Sequence, residues 1–242
     1  MKIGIGVTTY NRPKHRANWS DIWHKFIGTD KAYHIASDDI NGLGYDYSNE
    51  RKGIAYRKNE CLRALQDCDY VFLFDDDCFP IKKGWSEFFI EAHKASGQHH
   101  FLYIKETPTI KQTHIHLKPE DPLIPSLPYS INEYNNCGGC FMFLTKEVIE
   151  KVGAFDETFG LYGFEHADYS DRIHMAGLTP MGKYLCPAGA SEYIYAMDYD
   201  YHLPFNKQVD HKPSLPVTEV VKLLQSSQQT YYNKQKTIFL PL

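Results

Sequence analysis

The sequence predicts an α/β fold with a mostly parallel central sheet flanked by helices. Three observations lead there. Short apolar runs alternate with stretches of helical spacing through the first third of the chain, the order expected of strand–helix–strand units. Each run passes into a polar segment at its end, the place where ligands collect in such sheets. The 242 residues are enough for one domain of the larger α/β kind with a substantial core, or for a domain with a short appendage.

Taken in order, residues 2–8 (KIGIGVT) read as a buried strand that stops at Thr8, Thr9, Tyr10, Asn11, Arg12 and Pro13, with a helix following to about Phe26. Residues 32–37 (AYHIAS) form a second short strand, closed by a turn-rich segment from Asp38 to Asn49 that holds Gly42 and Gly44. In 53–65 (GIAYRKNECLRAL), Ala55, Asn59, Leu62 and Leu65 stand at helical spacing, and 70–74 (YVFLF) is a wholly apolar strand. The polar ends of these three strands, Thr8 to Asn11, Asp38 with Asp39, and Asp75 to Asp77, would meet at one edge of a parallel sheet. Residues 97–135 hold His99, His100, His114, His116 and five prolines, a composition of loops and edge strands. Regular spacing returns at 141–144, then in a helix from Lys146 to Val152 and a second from Glu165 to Ala176, stopped by Gly177. The expected division is a main domain over 1–197 and a polar, tyrosine-rich extension over 198–242, serving as a lid or an arm.

Composition removes several classes. Hydrophobic residues at 43% and charged residues at 23% are ordinary for a globular chain and exclude the disordered and fibrous classes. A net charge of -4 offers no general attraction to a polyanion, so nucleic acid is not an expected partner. No apolar run reaches the roughly 20 residues of a membrane helix and the N-terminus enters a strand directly, so a cytoplasmic protein without a membrane span is expected. The six cysteines are expected to stay reduced there. Tyr and Phe together number 32, which suits either ring stacking on a ligand or an aromatic core.

The chemistry concentrates at Asp75, Asp76 and Asp77. Three adjacent carboxylates repel one another unless a cation or hydrogen-bond donors compensate them. Mn2+ or Mg2+ does this with oxygen ligands and keeps positions free for water and phosphate, so an acid run at a strand end suits a nucleoside diphosphate.

Five segments in order, IGVTTYNRP, GIAYRKN, FLFDDDCFP, GGCFMFLTKEVIEKVGAFDETF and YGFEHADYSDRI, resemble the GT-A fold glycosyltransferases, in particular the family 2 group. The resemblance covers roughly residues 3–178. It implies a GT-A-like nucleotide-diphospho-sugar transferase fold and metal-dependent transfer of a sugar from a UDP-sugar to a carbohydrate or other hydroxyl acceptor, with inversion. Thr8, Tyr10 and Arg12 would line the base pocket with Asp38 facing the base. Lys58 and Asn59 take the places of a basic residue and an asparagine at a helix start, with Arg57 nearby. Asp75 and Asp77 match the outer pair of a DxD motif that binds ribose and metal, with Asp76 between them. Gly138 and Gly139 match small residues that let the chain approach the sugar. A third metal ligand would come from a histidine near the C-terminus, His211 before His202.

One departure from the pattern bears on mechanism. Inverting members commonly carry Glu-Asp at the start of the last of these helices, whereas here Glu165 is followed by His166. A base must take the acceptor proton, and imidazole does so near neutral pH, so His166, Glu165 and Asp168 are the three catalytic candidates. Two rival readings remain at this stage. One is a nucleotidyltransferase or sugar-phosphate enzyme of related fold, which lacks support in the absence of a Gly-rich basic loop after the first strand. The other is a carbohydrate-binding protein without activity, against which the acids at 75, 77 and 165 speak.

Overall fold

The computed structural model describes residues 1–10, 12–28, 30–38, 51–117, 130–200 and 216–242. Along the chain run β1 (Ile3–Thr9), α1 (Pro13–Ile22), β2 (Ala32–Ser37), α2 (Ile54–Leu65), β3 (Tyr70–Asp75), β4 (Cys78–Pro80), α3 (Trp85–Ser96) and β5 (His100–Leu102). They are followed by β6 (Gln112–Leu117), β7 (Ser130–Tyr134), β8 (Phe141–Thr145), α4 (Lys146–Val152), α5 (Glu165–Met175), β9 (Leu185–Pro187), β10 (Ile194–Ala196), α6 (Met197–Asp200) and α7 (Val217–Asn233).

The central sheet has the order β2-β1-β3-β8-β5. β1 pairs in parallel with β2 and β3, and β8 is antiparallel to both β3 and β5, so four strands run one way and β8 alone is reversed. That is the mostly parallel α/β sheet expected. Every residue of β1 and of β8 is buried, as strands covered on both faces must be. Two smaller sheets, β10 with β4 and β6-β7-β9, flank it.

Much of the aromatic content is spent on the core beneath β3 and β8. Phe72 meets Trp85 with ring centres 4.7 Å apart, Phe74 meets Phe141 at 5.0 Å, and Phe89 meets Phe141 at 4.6 Å. Edge-on and tilted contacts of this kind add to area burial. All six cysteines are buried free thiols. No helix among the described residues is long and apolar enough to cross a membrane.

The chain end returns to the main body. Leu240 forms a parallel bridge with Gly153, its N–H donating to Val152 O at 3.0 Å and its carbonyl accepting from Ala154 N at 2.8 Å. Beneath this return lies Arg172, 1% exposed, which donates to Asp168 Oδ2 (2.8 Å), Ala154 O (2.7 Å), Val152 O (3.3 Å) and Ile238 O (3.3 Å). A buried guanidinium so bonded is compensated, but removing it strands Asp168, which is fully buried. Arg172→Met is therefore expected to lower the unfolding free energy in urea by about 3–5 kcal/mol. A loss below about 1 kcal/mol would mean that the pair is not the anchor of the return.

Candidate active site

The carboxyl ends of β1, β2 and β3 open into a cleft lined by Thr8, Tyr10, Arg12, Asp38, Asp75 to Asp77, Tyr162 and Asp198, among others. The three polar strand ends meet at one edge, as their parallel order requires.

Each carboxylate of the acid run has its own setting. Asp75 closes β3 and accepts from Thr8 Oγ1 at 2.9 Å, remaining 31% exposed. Asp76 turns inward, where Thr9 Oγ1 donates at 2.6 Å and Arg12 Nη1 at 3.0 Å, while Trp19 Nε1 holds its backbone carbonyl at 3.1 Å. Arg12 also pairs with Asp77. Burial, then repulsion from Asp77, pushes Asp76 up to about 7 in spite of Arg12. Asp198, exposed at the rim, follows β10 and stands beside the run, with Met197 N donating to Asp77 O at 3.1 Å. Desolvation in the cleft, then Asp77 and Asp75, raises its carboxyl to about 6.

These raised values answer whether the residues suit a divalent cation. Asp75, Asp77 and Asp198 are oxygen donors crowded on one cleft wall, so a hard cation between them relieves their mutual repulsion, and the donor set fits. No closed cluster of three ligating side chains occurs among the described residues. The expected third ligand, His211, and its alternative His202 lie outside the described residues.

Asp38 anchors the other end of the cleft. Its Oδ1 accepts from Lys52 N (2.9 Å) and Arg57 Nε (2.8 Å), and its Oδ2 from Gly53 N (2.8 Å). Carboxylate oxygens offer about four acceptor sites, so among the described residues one remains on Oδ2, with Arg51 Nε 3.9 Å away. Tyr10 carries the Arg51 guanidinium over its ring at 4.1 Å.

The first turn of α5 joins the cleft through a buried cation. Lys58, 1% exposed on α2, donates to Glu165 Oε1 at 3.1 Å and to Gly139 O at 3.0 Å, and lies 3.8 Å from Asp75 Oδ1. Burial alone would strip its proton, but Asp75 and Glu165 outweigh burial and hold the ammonium above the usual lysine range. Glu165 is 3% exposed, and burial opposes its charge. Lys58 and His166 overcome that and keep it far below the usual carboxylate range. Its Oε2 is buried without a hydrogen-bond partner among the described residues. His166 Nδ1 lies 3.3 Å from Glu165 Oε1. Burial disfavours its charge, yet Glu165 and then Cys137 raise it to about 10.

The structure thus brings Thr8, Tyr10, Arg12, Asp38 and the acid run together in the cleft, while Lys58 lies buried behind its wall, 3.8 Å from Asp75, and links it to Glu165 with His166 beside that carboxylate. Other expected site residues are placed elsewhere. Asp168 is sequestered by Arg172 and does not line the cleft, so its carboxylate serves the fold. Asn59 is turned the other way, donating to Phe155 O (3.0 Å) and Glu157 Oε1 (2.9 Å) and accepting from Phe155 N (2.7 Å). Gly138 and Gly139 are small for packing reasons, since a Cβ would strike the Tyr199 hydroxyl at the first and the His166 ring, 2.6 Å from Cγ, at the second. Asp198 lies just after the apolar run YIYA, but that run is β10 of the antiparallel β4-β10 pair, so the rule for parallel strand ends does not reach it.

Comparison with known proteins bears on the fold. No family model matches the chain. Over 201 residues it is 26% identical to a protein of Acanthamoeba polyphaga mimivirus named as an uncharacterized glycosyltransferase, covering 74% of this chain and 76% of that one. In structure it is similar to S. aureus TarS, with a TM-score of 0.57 at 12% identity over 98% of this chain. The chain spans only 44% of TarS. TarS 1-349 in complex with UDP gives 0.54 at 12% identity, covering 97% of this chain and 73% of that one. Mannosyltransferase PcManGT of Pyrobaculum calidifontis, solved with GDP-Man and Mn2+, gives 0.50 at 15% identity over 76% and 54% of the two chains.

The site makes one prediction about charge. A carboxyl raised in the folded state binds protons more tightly there than in the unfolded chain, so its ionisation costs stability as pH rises through the folded value. Asp198→Asn should therefore raise the melting temperature of the ligand-free protein by a few degrees above pH 6. That gain should shrink as pH falls from 6 toward 4. Equal melting curves for variant and wild type at pH 8 would show that Asp198 is not under repulsion. The chain is thus similar in sequence to a protein named as a glycosyltransferase, and its fold is the GT-A-type fold of glycosyltransferases of solved structure.

Proposed function

We infer that the cleft binds a UDP-sugar and that the protein transfers the sugar, with inversion, to the hydroxyl of an acceptor. The observation that carries this reading is the convergence, in one cleft, of a polar end at Tyr10 and Asp38 with an acid run at Asp75 to Asp77, behind which Lys58 links Asp75 to the buried carboxylate of Glu165. Sequence and fold likeness to glycosyltransferases supports it.

Asp75 and Asp77 would hold Mn2+ or Mg2+, with His211 as the third ligand, and the cation would offset charge on the diphosphate as it leaves. The remaining steps belong to the protein. Tyr10 offers a ring to the uracil, and the open acceptor site on Asp38 Oδ2 takes an N–H from its edge. The acceptor oxygen forms its bond to the anomeric carbon as the bond from that carbon to the diphosphate oxygen breaks. Its proton passes to Glu165 Oε2. His166 already carries its proton at neutral pH because Glu165 holds it there, so the imidazole orients Glu165 and accepts nothing. A carboxylate partly neutralised by Lys58 is a weak base in the ground state, but it needs only to accept the proton as the hydroxyl acidifies in the transition state.

Transfer can be followed as UDP release from UDP-glucose, UDP-galactose, UDP-GlcNAc or UDP-GalNAc with Mn2+. Asp77→Ala is expected to abolish release and to weaken UDP binding with Mn2+ present while the fold stays intact. Turnover near the wild-type rate would place the site elsewhere. For the base, Glu165→Gln should slow release by about 100-fold to 10,000-fold and His166→Ala by about tenfold. The rate should stay level from pH 6 to 8, because the Glu165 carboxylate is ionised throughout. A rate that climbs toward pH 10, with Glu165→Gln active and His166→Ala dead, would make the histidine the base.

A further inference from the structure

Glu165 and His166, packed behind the cleft wall, follow a strained approach. Phe164, the residue before α5, has φ 69°, and is the one non-glycine with positive φ among the described residues. Such a conformation is disfavoured for a residue with a Cβ and persists only where the surroundings hold it. The segment before it, 159–163, also contributes Leu161 and Tyr162 to the cleft wall.

Ile54 N at the start of α2 donates to Leu161 O at 3.4 Å, and the other side of the segment is held by α7. Ser227, 3% exposed, is the only described residue of that 17-residue helix to be buried. Its Oγ lies 3.1 Å from Phe159 O and 2.8 Å from Tyr162 O, so one hydroxyl proton is shared between two carbonyls of the loop. A serine in mid-helix ordinarily bonds its own helix backbone, and here it is turned outward. Leu224, one turn earlier, lies where Gly163 has no Cβ: an added Cβ would stand 2.8 Å from Leu224 Cδ2, and φ there is +92°. Tyr231, one turn later, meets the Phe164 ring with centres 5.4 Å apart. Three successive turns of α7 thus grip three points of one loop.

We propose that Ser227 is a positioning residue: through the carbonyls of Phe159 and Tyr162 it fixes the loop that forms part of the cleft wall and sets Glu165 and His166 beside it. The proposal rests on the reading of Glu165 as the proton acceptor. It also has a consequence independent of transfer, because the loop amides should open more readily when the hydroxyl is lost. A neutral hydrogen bond contributes about 0.5–1.5 kcal/mol, so Ser227→Ala should speed hydrogen exchange at 160–166 by about 2- to 12-fold.

The test measures hydrogen exchange, melting temperature, UDP affinity with Mn2+, and the rate of UDP release, on wild type, Ser227→Ala and Ser227→Thr. Expected for Ser227→Ala are faster exchange confined to 160–166, unchanged UDP affinity and a lower kcat, with Ser227→Thr restoring kcat because it keeps the hydroxyl. If the alanine variant does not fold, Ser227→Cys keeps the volume and weakens the bond. Exchange that is unchanged, or that rises evenly over the chain with the melting temperature, overturns the proposal and leaves a purely structural serine. So does a drop in UDP affinity equal to the drop in kcat/KM. A wild-type protein that releases no UDP from any donor defeats the transfer reading alone, and the exchange result then decides the positioning claim by itself.

Discussion

One buried ammonium ties the cleft together. Lys58 is carried by α2, yet its Nζ reaches Glu165 at the start of α5, the Gly139 carbonyl before β8 and, more distantly, Asp75 at the end of β3. No single one of these contacts would repay taking a lysine out of water. Together they do, and the result is a fixed distance between the acid run on one wall and the α5 carboxylate on the other. Loss of the charge would leave the buried Glu165 with His166 as its one charged partner among the described residues, so the cation is a condition of the site as well as of the fold.

The acid run illustrates the opposite balance. Asp76 and Asp77 share Arg12, but Asp76 still sits well above the ordinary carboxylate range and Asp198 is raised beside them. The cleft therefore holds more negative charge than its own cations neutralise. A surplus of this kind costs stability when the cleft is empty and favours a ligand that brings positive charge. The same residues that make the site attractive to a cation make it the least relaxed part of the molecule.

The strands and helices were legible in the sequence because their patterns are strong. YVFLF is a buried strand in β3, and the helix expected over 146–152 is α4 to the residue. The rule that polar residues at parallel strand ends converge located Thr8, Asp38 and Asp75 in one cleft. The partners of single polar residues were not legible, since residue type says nothing about which distant group it meets. Asn59 sits beside Lys58 in sequence but one helical step rotates it toward Phe155, 96 residues away. The run Arg57, Lys58, Asn59 has the composition of a solvent face, whereas all three are buried, each by a different long-range contact.

Why Asp168 looks catalytic in sequence and is not placed so in space follows from helix geometry. Glu165, Asp168 and Arg172 recur at the spacing of one helix face, so they form a single polar stripe along α5. Only the first residue of the stripe meets the cleft, through Lys58. Three residues on, a rise of about 1.5 Å per residue has carried Asp168 some 4.5 Å deeper, where it finds Arg172 and the backbone under the C-terminal return. A proton acceptor has to come within hydrogen-bond reach of the hydroxyl it serves, and this displacement exceeds that reach. The stripe therefore divides its labour by depth: its outer end is available for chemistry because its inner end is spent on fastening α5 to the rest of the chain.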